Sequence, residues 1–236
     1  MNVRDRLEIL IQPGYEIVEI EPGIWTVDTD LPGQAYDKKA AVYDRLIGSN
    51  IYNRLMWGTS PKAYREFAQS LHEANPRVVL DAGCGSMAAT AEIHARSGSF
   101  VIGVDLSLGM LKKAKERLEA AGARNVALLQ ADLRDLPFRN GAFEAGLFMG
   151  MMHLFQNAEP VLNSIKRVMQ PNARLHMTSL AKVGRRFGDR YYESLHKMGE
   201  VAKGRNPVEI AHDLEDIYAG VSVRNEGNMV FATAFR

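Results

Sequence analysis

Residues 78–90 read VVLDAGCGSMAAT, and this stretch decides the fold. A short apolar run ends at Asp81, which predicts a buried strand, and Gly83 and Gly85 then predict a tight turn into a helix. Because glycine has no Cβ, a ligand can approach such a backbone closely. Plain strand–helix turns look alike, so the glycine pair alone leaves a cofactor site and ordinary turn chemistry as equal alternatives.

Strands and helices alternate regularly beyond this turn. The pattern predicts strands at FVIGVDLS (100–107), NVALLQAD (125–132), FEAGLFMG (143–150) and RLHMTSL (174–180), separated by helices over 86–97, 108–121 and 158–169. Such alternation predicts an α/β fold, with helices on both faces of a parallel sheet. The tail VSVRNEGNMVFATAFR (221–236) predicts a hairpin, which adds at least one antiparallel strand.

The first 75 residues lack this alternation. Residues 15–29 alternate apolar and polar side chains around Pro22-Gly23 and predict two short strands. Residues 36–75 carry apolar and aromatic side chains at helical spacings and predict two or three helices, the last starting at Ser60-Pro61. We therefore predict an N-terminal lid over residues 1–75 and a main domain over residues 76–236.

Acidic residues end the second and third predicted strands of the main domain. The carboxyl ends of parallel strands line up along one sheet edge, so Asp105 is placed to accept both hydroxyl hydrogens of a ribose; its alternative is a helix cap. Asp132 is placed to accept a hydrogen bond from an adenine amino group, with Leu106, Leu133 and Met87 around the ring; its alternative is a loop cap. Together with the glycine turn, these positions predict an adenosine pocket.

As a set, these segments resemble the class I methyltransferase family, especially the branch that acts on small molecules. The resembling segments are VLDAGCGS (79–86), GVDLSLGML (103–111), QADLRDLPF (130–138), FEAGLFMGMMHLF (143–155) and RVMQPNARLHM (167–177). The resemblance implies a Rossmann-like three-layer sandwich with a mostly parallel seven-stranded sheet. Its strand order would be 3-2-1-4-5-7-6, with strand 7 antiparallel.

The resemblance also implies that the cofactor is S-adenosylmethionine, with S-adenosylhomocysteine as product. It assigns the methionine part of the cofactor to Asp81, Gly83 and Gly85, and the ribose to Asp105. It assigns the adenine to Leu106, Asp132 and Leu133.

The sequence marks the residues that would contact the methyl acceptor less clearly than those of the cofactor pocket. His153, just past the fourth predicted strand, is the candidate base for an oxygen nucleophile; the alternative is a packed histidine. The stretch YDRLIGSNIYNRLMWG (43–58) weakly resembles the leader helices of quinone and sterol methyltransferases. Tyr36 and Tyr43 from the N-terminal region are other candidate bases. Together with Trp57 they are also candidates to line an apolar pocket, with ordinary packing as the alternative. We expect a small-molecule acceptor that is apolar and quinone- or lipid-like.

Composition argues against several other classes. The net charge of +1 lacks the strongly basic character that is typical of nucleic-acid-binding proteins, and we expect no nucleic-acid partner. The single cysteine, Cys84, allows neither an intramolecular disulfide nor a cysteine metal cluster, and no metal is expected. Without a signal peptide or a spanning apolar run, we expect a cytoplasmic protein with no stable membrane insertion. The basic run 182–205 predicts a solvated helix face, or attraction to an anionic substrate or membrane surface.

Two other functions stay open. A NAD(P)-dependent Rossmann oxidoreductase fits the glycine turn and Asp105, but fits Asp81 and the terminal hairpin poorly. A methyltransferase-like protein that binds ligand without turnover is the second. Its best support is Met87, which stands where the family usually carries a third glycine and where a side chain would narrow the site.

Overall fold

A computed structural model of the protein describes residues 2–31 and 49–236. Within them, nine strands form one mixed sheet. The strands are β1 (Val18–Glu21), β2 (Ile24–Thr26), β3 (Val78–Ala82), β4 (Phe100–Asp105), β5 (Val126–Gln130), β6 (Phe143–Phe148), β7 (Met169–Leu180), β8 (Ala219–Glu226) and β9 (Met229–Phe235). The helices are α1 (Val3–Leu10), α2 (Asn50–Tyr52, continuing as the π-helical turn Asn53–Trp57), α3 (Pro61–His72), α4 (Ala91–Arg96), α5 (Leu108–Ala120), α6 (Glu159–Val168), α7 (Arg186–Lys197) and α8 (Pro207–Glu215).

The strand order is β1-β2-β5-β4-β3-β6-β7-β9-β8. Strands β3 to β7 pair in parallel, and β9 is antiparallel to both β7 and β8. Counted from β3, the last seven strands follow the order 3-2-1-4-5-7-6 with the seventh antiparallel, so the predicted order is confirmed for them. The α/β class of the fold is confirmed as well.

The sheet differs from the prediction at one edge. The hairpin of β1 and β2, which we predicted as part of the lid, pairs with β5, and β2 runs parallel to it. The sheet therefore has nine strands rather than seven. Pairing with β2 satisfies backbone groups of β5 that would otherwise form an open sheet edge.

The central strands are buried on both faces, as expected for a parallel sheet between helix layers. The main core includes Leu80, Ile102 and Leu129, while Val79 and Val101 pack on the opposite face against α3. Among the described residues, no helix is long and apolar enough to cross a bilayer.

Local sequence signals account for several element ends. The Ser60 hydroxyl accepts a hydrogen bond from the Ala63 amide, and Pro61 follows it at the first helical position of α3. Helix α4 is shorter than predicted and begins only at Ala91. The reason is that Gly85 and Met87 both have φ 52°, in the left-handed region, which keeps this stretch a turn rather than a helix.

Candidate functional site

Three carboxylates lie at neighbouring tips of the sheet. Asp81 is in β3, Asp105 ends β4, and Asp132 follows β5 by two residues. Because β3, β4 and β5 pair side by side in parallel, their carboxyl ends share one edge. The sequence prediction that these positions come together is thereby borne out in the fold, while their roles as ligands stay predictions.

The glycine turn is tied to β4 through its backbone. The amides of Gly83 and Cys84 both donate to the Val104 carbonyl, at 2.8 and 3.0 Å. Gly83 and Gly85 have φ of 66° and 52°, which explains why glycine stands at both positions. Apart from its two chain neighbours, no described residue has a heavy atom within 4 Å of the place that a Cβ on Gly85 would take. The described part of the chain therefore leaves this side of the turn open to a ligand.

The carboxylate of Asp105 lies beside the glycine turn and is hydrogen-bonded to it. One of its oxygens accepts the Gly85 amide at 2.9 Å, and the other accepts the Ser107 amide at 2.9 Å. Burial raises the pKa of Asp105 to about 6, although these two amide hydrogen bonds oppose the rise. Because each carboxylate oxygen has a second lone pair, Asp105 can still accept two ribose hydroxyls.

Asp132 acts as a loop cap in this structure. It accepts the Arg134 amide at 2.9 Å, and Nε of Arg134 lies 3.0 Å from each carboxylate oxygen. These hydrogen bonds from Arg134 lower the pKa of Asp132. Next to it, Leu133 is buried in the main core, whereas Leu106 on the neighbouring tip is half-buried. An adenine contact at this edge stays a prediction.

Met87 does not enter the turn. Its side chain is 2% exposed and packs with Ala91, Leu111 and Leu128. A Cβ on Gly103 would lie 2.3 Å from Cε of Met87, so Gly103 leaves the space that this side chain fills. The expectation that Met87 narrows the site is therefore wrong, because the left-handed backbone directs its side chain into the core beside β4.

Met151 is the methionine that reaches the turn. A Cβ on Gly83 would lie 2.6 Å from Cγ of Met151 and 2.8 Å from its Cε. Met151 precedes the 3-10 turn Met152–Leu154 after β6, so it comes from the strand tip on the other side of β3. Met151 lies within the resembling segment 143–155, but nothing in that segment singled it out, and the sequence analysis gave it no role.

His153 is buried in the same 3-10 turn. Its Nδ1 accepts a hydrogen bond from the Leu180 amide at 3.3 Å. Burial, with the charge of Arg205 nearby, lowers the pKa of His153 to about 4. Since Nδ1 is an acceptor, the neutral ring carries its hydrogen on Nε2 and has no free lone pair. This arrangement opposes the predicted role of His153 as a general base.

The candidate acceptor residues are only partly described. Trp57 is 4% exposed, and its ring lies 5.2 Å from that of Tyr191 in α7. Its carbonyl accepts the Asn228 amide at 2.7 Å, so Trp57 anchors the π-helical turn Asn53–Trp57 to the β8–β9 turn. Tyr36 and Tyr43 lie outside the described residues.

Two buried hydrogen-bond partners of Asp81 were also missed. Oδ2 of Asp81 accepts from Nε2 of His94 at 2.9 Å and from the Thr90 hydroxyl at 3.2 Å. Both partners stand on the helical side of the turn, and neither belongs to the segments that carry the resemblance. A histidine in α4 gives no signal in the sequence, because its contact with β3 depends on how α4 packs.

Comparison with known proteins agrees with this geometry. Residues 79–172 match the family model described as a methyltransferase domain. Over this stretch the chain is therefore similar to methyltransferases. Its sheet order, glycine turn and acidic strand tips lie in or around the matched region.

Curated methyltransferases match over part of their length. Malonyl-[acyl-carrier protein] O-methyltransferase of Legionella pneumophila is 29% identical over 162 residues, which cover 66% of this chain and 51% of that protein. Demethylmenaquinone methyltransferase of Corynebacterium kroppenstedtii is 31% identical over 127 residues, covering 53% and 52%. The chain thus spans about half the length of these two relatives.

Solved methyltransferases share the fold. Phosphoethanolamine N-methyltransferase 2 of Haemonchus contortus, solved with phosphomonomethylethanolamine and S-adenosylhomocysteine, superposes with a TM-score of 0.66 at 16% identity, covering 86% of this chain and 58% of that one. A SAM-dependent methyltransferase of Aquifex aeolicus gives 0.59 at 20% identity, covering 84% and 97%.

Proposed function

We propose that the chain transfers a methyl group from S-adenosylmethionine to a small-molecule acceptor. The observation that carries the proposal is the set of carboxylates on three neighbouring strand tips beside an open glycine turn. The match of residues 79–172 to a methyltransferase domain supports the same conclusion.

The residues at this edge fit such a cofactor. Asp105 keeps lone pairs for the two ribose hydroxyls, and the open side of Gly85 lets a ligand approach the backbone. Asp81 would face the methionine part from β3. Asp132, Leu106 and Leu133 would border the adenine. The bound sulfonium would supply an activated methyl group, and the chain's own task would be alignment within about 3–3.5 Å.

The residues after β6 would border the acceptor. Met151, which lies against Gly83, stands between the glycine turn and the β6 tip. His153 would present Nε2–H, a hydrogen-bond donor suited to an acceptor oxygen, rather than a base. Methyl transfer to an already ionised oxygen needs no base from this residue, and a ring carbon that takes the methyl group would release its proton to water instead.

We propose an apolar, quinone- or lipid-like acceptor. Matching curated relatives include the Corynebacterium demethylmenaquinone methyltransferase and the 2-phytyl-1,4-naphthoquinone methyltransferase of Trichormus variabilis. The aromatic cluster of Tyr52, Trp57 and Tyr191 would form an apolar wall on the lid side, and the hydroxyls of Tyr52 and Tyr191 lie 3.0 Å apart. Tyr36 and Tyr43 remain candidates for the same pocket.

Calorimetry tests the cofactor. We expect heat with S-adenosylhomocysteine and none with NAD, and loss of most of the heat in Asp105→Ala. Asp216→Ala is the matched control, because Asp216 is exposed at the end of α8. Heat with NAD alone would favour the oxidoreductase, and heat with neither ligand would overturn the proposal.

Transfer of a labelled methyl group tests the acceptor. A demethylmenaquinone analogue and malonyl-[acyl-carrier protein] are each incubated with the protein and methyl-labelled S-adenosylmethionine, and the label in the two acceptors is compared. We expect labelling of the quinone-type acceptor. Labelling of the malonyl-[acyl-carrier protein] instead would overturn the proposal of a quinone-like acceptor. Cofactor binding without labelling of either compound would favour a protein that binds the ligand without turnover.

A further inference from the structure

A chain of four hydrogen-bonded side chains, three of them buried, ends at the glycine turn. The hydroxyl of Ser99 lies 3.1 Å from Nδ1 of His72, and Nε2 of His72 lies 3.2 Å from Nδ1 of His94. Nε2 of His94 then lies 2.9 Å from Oδ2 of Asp81. Ser99, His94 and Asp81 are at most 2% exposed, and His72 is half-buried. The four residues come from α3, α4, β3 and the turn before β4, so only the folded chain joins them.

With both rings neutral, the hydrogens in this chain can point only one way. An ionised carboxylate only accepts, so His94 must donate from Nε2 and accept at Nδ1. His72 must then donate from Nε2 and accept at Nδ1 from the Ser99 hydroxyl. Burial, followed by the effect of His94, lowers the pKa of His72 to about 4, which keeps its ring neutral near pH 7. Every donor is therefore directed toward Asp81.

This direction leaves Asp81 one oxygen for a ligand. Oδ2 takes the hydrogens of His94 and Thr90, whereas Oδ1 accepts no hydrogen bond from the described part of the chain. Other titratable groups also act on the chain: His176 from β7 on His72, and Asp105 and Cys84, which interact with Asp81 across the turn. Asp81 therefore lies between a second carboxylate, Asp105, and the hydrogen-bond donor of His94.

We propose that Ser99, His72 and His94 are positioning residues that hold the Asp81 carboxylate ionised, with Oδ1 directed to the ammonium group of the bound cofactor. The proposal rests on the proposed function. A buried carboxylate that loses its donor takes up a proton more easily, and a neutral Asp81 attracts an ammonium group less. The effect of breaking the chain should therefore grow as the pH falls.

Binding of S-adenosylhomocysteine between pH 6 and 9 tests this prediction by calorimetry. In His94→Leu we expect the dissociation constant to rise about tenfold over wild type at pH 6, a change of about 1.4 kcal/mol, and clearly less at pH 9. His94→Gln keeps an N–H donor and should recover most of the affinity. His72→Leu breaks the chain away from Asp81 and should show the same pH trend at smaller size.

His212→Leu is the matched control, because the His212 side chain is 72% exposed and pairs only with Glu215 among the described residues. Thermal melting checks that each variant is folded. If the ratio of dissociation constants for His94→Leu does not change with pH, the histidine is merely structural and the proposal is overturned. No heat from the wild-type protein would overturn the proposed function, and this proposal with it.

Ring ¹⁵N chemical shifts give a readout that needs no ligand. We expect the Nε2–H tautomer for both His72 and His94 at pH 7.5. An Nδ1–H tautomer on either ring would reverse a donor in the chain and overturn the proposal, whatever the outcome of the binding experiments.

Discussion

Replacing Met87 by glycine tests whether the unusual residue of the turn belongs to the core or to the site. The fully buried side chain packs under α5 and against Gly103. Losing a buried methionine side chain costs about 2–5 kcal/mol. Relief of the left-handed backbone, φ 52°, returns about 1 kcal/mol. We expect Met87→Gly to lower the free energy of unfolding by about 1–4 kcal/mol, the balance of these two effects.

Urea unfolding measures the change, and calorimetry with S-adenosylhomocysteine measures the site. We expect the dissociation constant to stay within about threefold of wild type, well under 1 kcal/mol. Met198→Gly is the control for glycine itself, since Met198 is 60% exposed just after α7. An unchanged stability together with tighter binding would refute the reasoning, because that result places Met87 over the cofactor.

A double-mutant cycle sharpens the test. In wild type, a Cβ on Gly103 would lie 2.3 Å from Cε of Met87, so Gly103→Ala should destabilise the fold by about 1–3 kcal/mol. In the Met87→Gly variant the methionine side chain is absent, so adding Gly103→Ala should lower the free energy of unfolding by less than it does in wild type. Cys84 and Leu128 at 3.1 Å remain, so the rescue should be incomplete. Additive effects would contradict the proposed contact.

Three further predictions concern charge. Asp105→Ala should weaken S-adenosylhomocysteine binding by about 1–3 kcal/mol in calorimetry, and an unchanged affinity would remove its ribose role. His153→Asn keeps an acceptor for the Leu180 amide, so the pH profile of turnover should not change; a pH-dependent loss would restore the base. His72, His153 and His176 have pKa values lowered to about 4, so their contribution to stability is present above pH 6.5 and lost as the pH falls toward 4. Asp105, whose pKa is raised to about 6, acts in the opposite direction. At pH 5 the unfolded chain therefore binds about two protons more than the folded chain, so the free energy of unfolding should fall by about 2–3 kcal/mol for each pH unit of acidification. Urea unfolding at several pH values measures this slope, and a free energy that does not change with pH would contradict it.

Much of the fold was predictable because it depends on local patterns. The alternation of apolar strands with amphipathic helices predicted β3 to β7, and the tail predicted β8 and β9. Ser60-Pro61 predicted the start of α3, and the two glycines predicted a tight turn. These signals are readable because caps, turns and side-chain periodicity act within a few residues.

The candidate site was only half predictable. The sequence indicated that Asp81, Asp105 and Asp132 share one edge, because parallel strands must align their ends. It did not indicate that Arg134 caps Asp132 or that Asp105 holds two amides, since such hydrogen bonds depend on loop geometry.

The amino-acid sequence by itself determined the α/β class and the position of the glycine turn, and its resemblance to class I methyltransferases implied the strand order from β3 onward. Only the tertiary structure decided that Met87 turns inward and Met151 lies over Gly83, that the β1–β2 hairpin joins the sheet, and that His94 reaches Asp81. The physical reason is that propensity and periodicity act between neighbours in the chain, whereas these contacts join residues that only packing brings together.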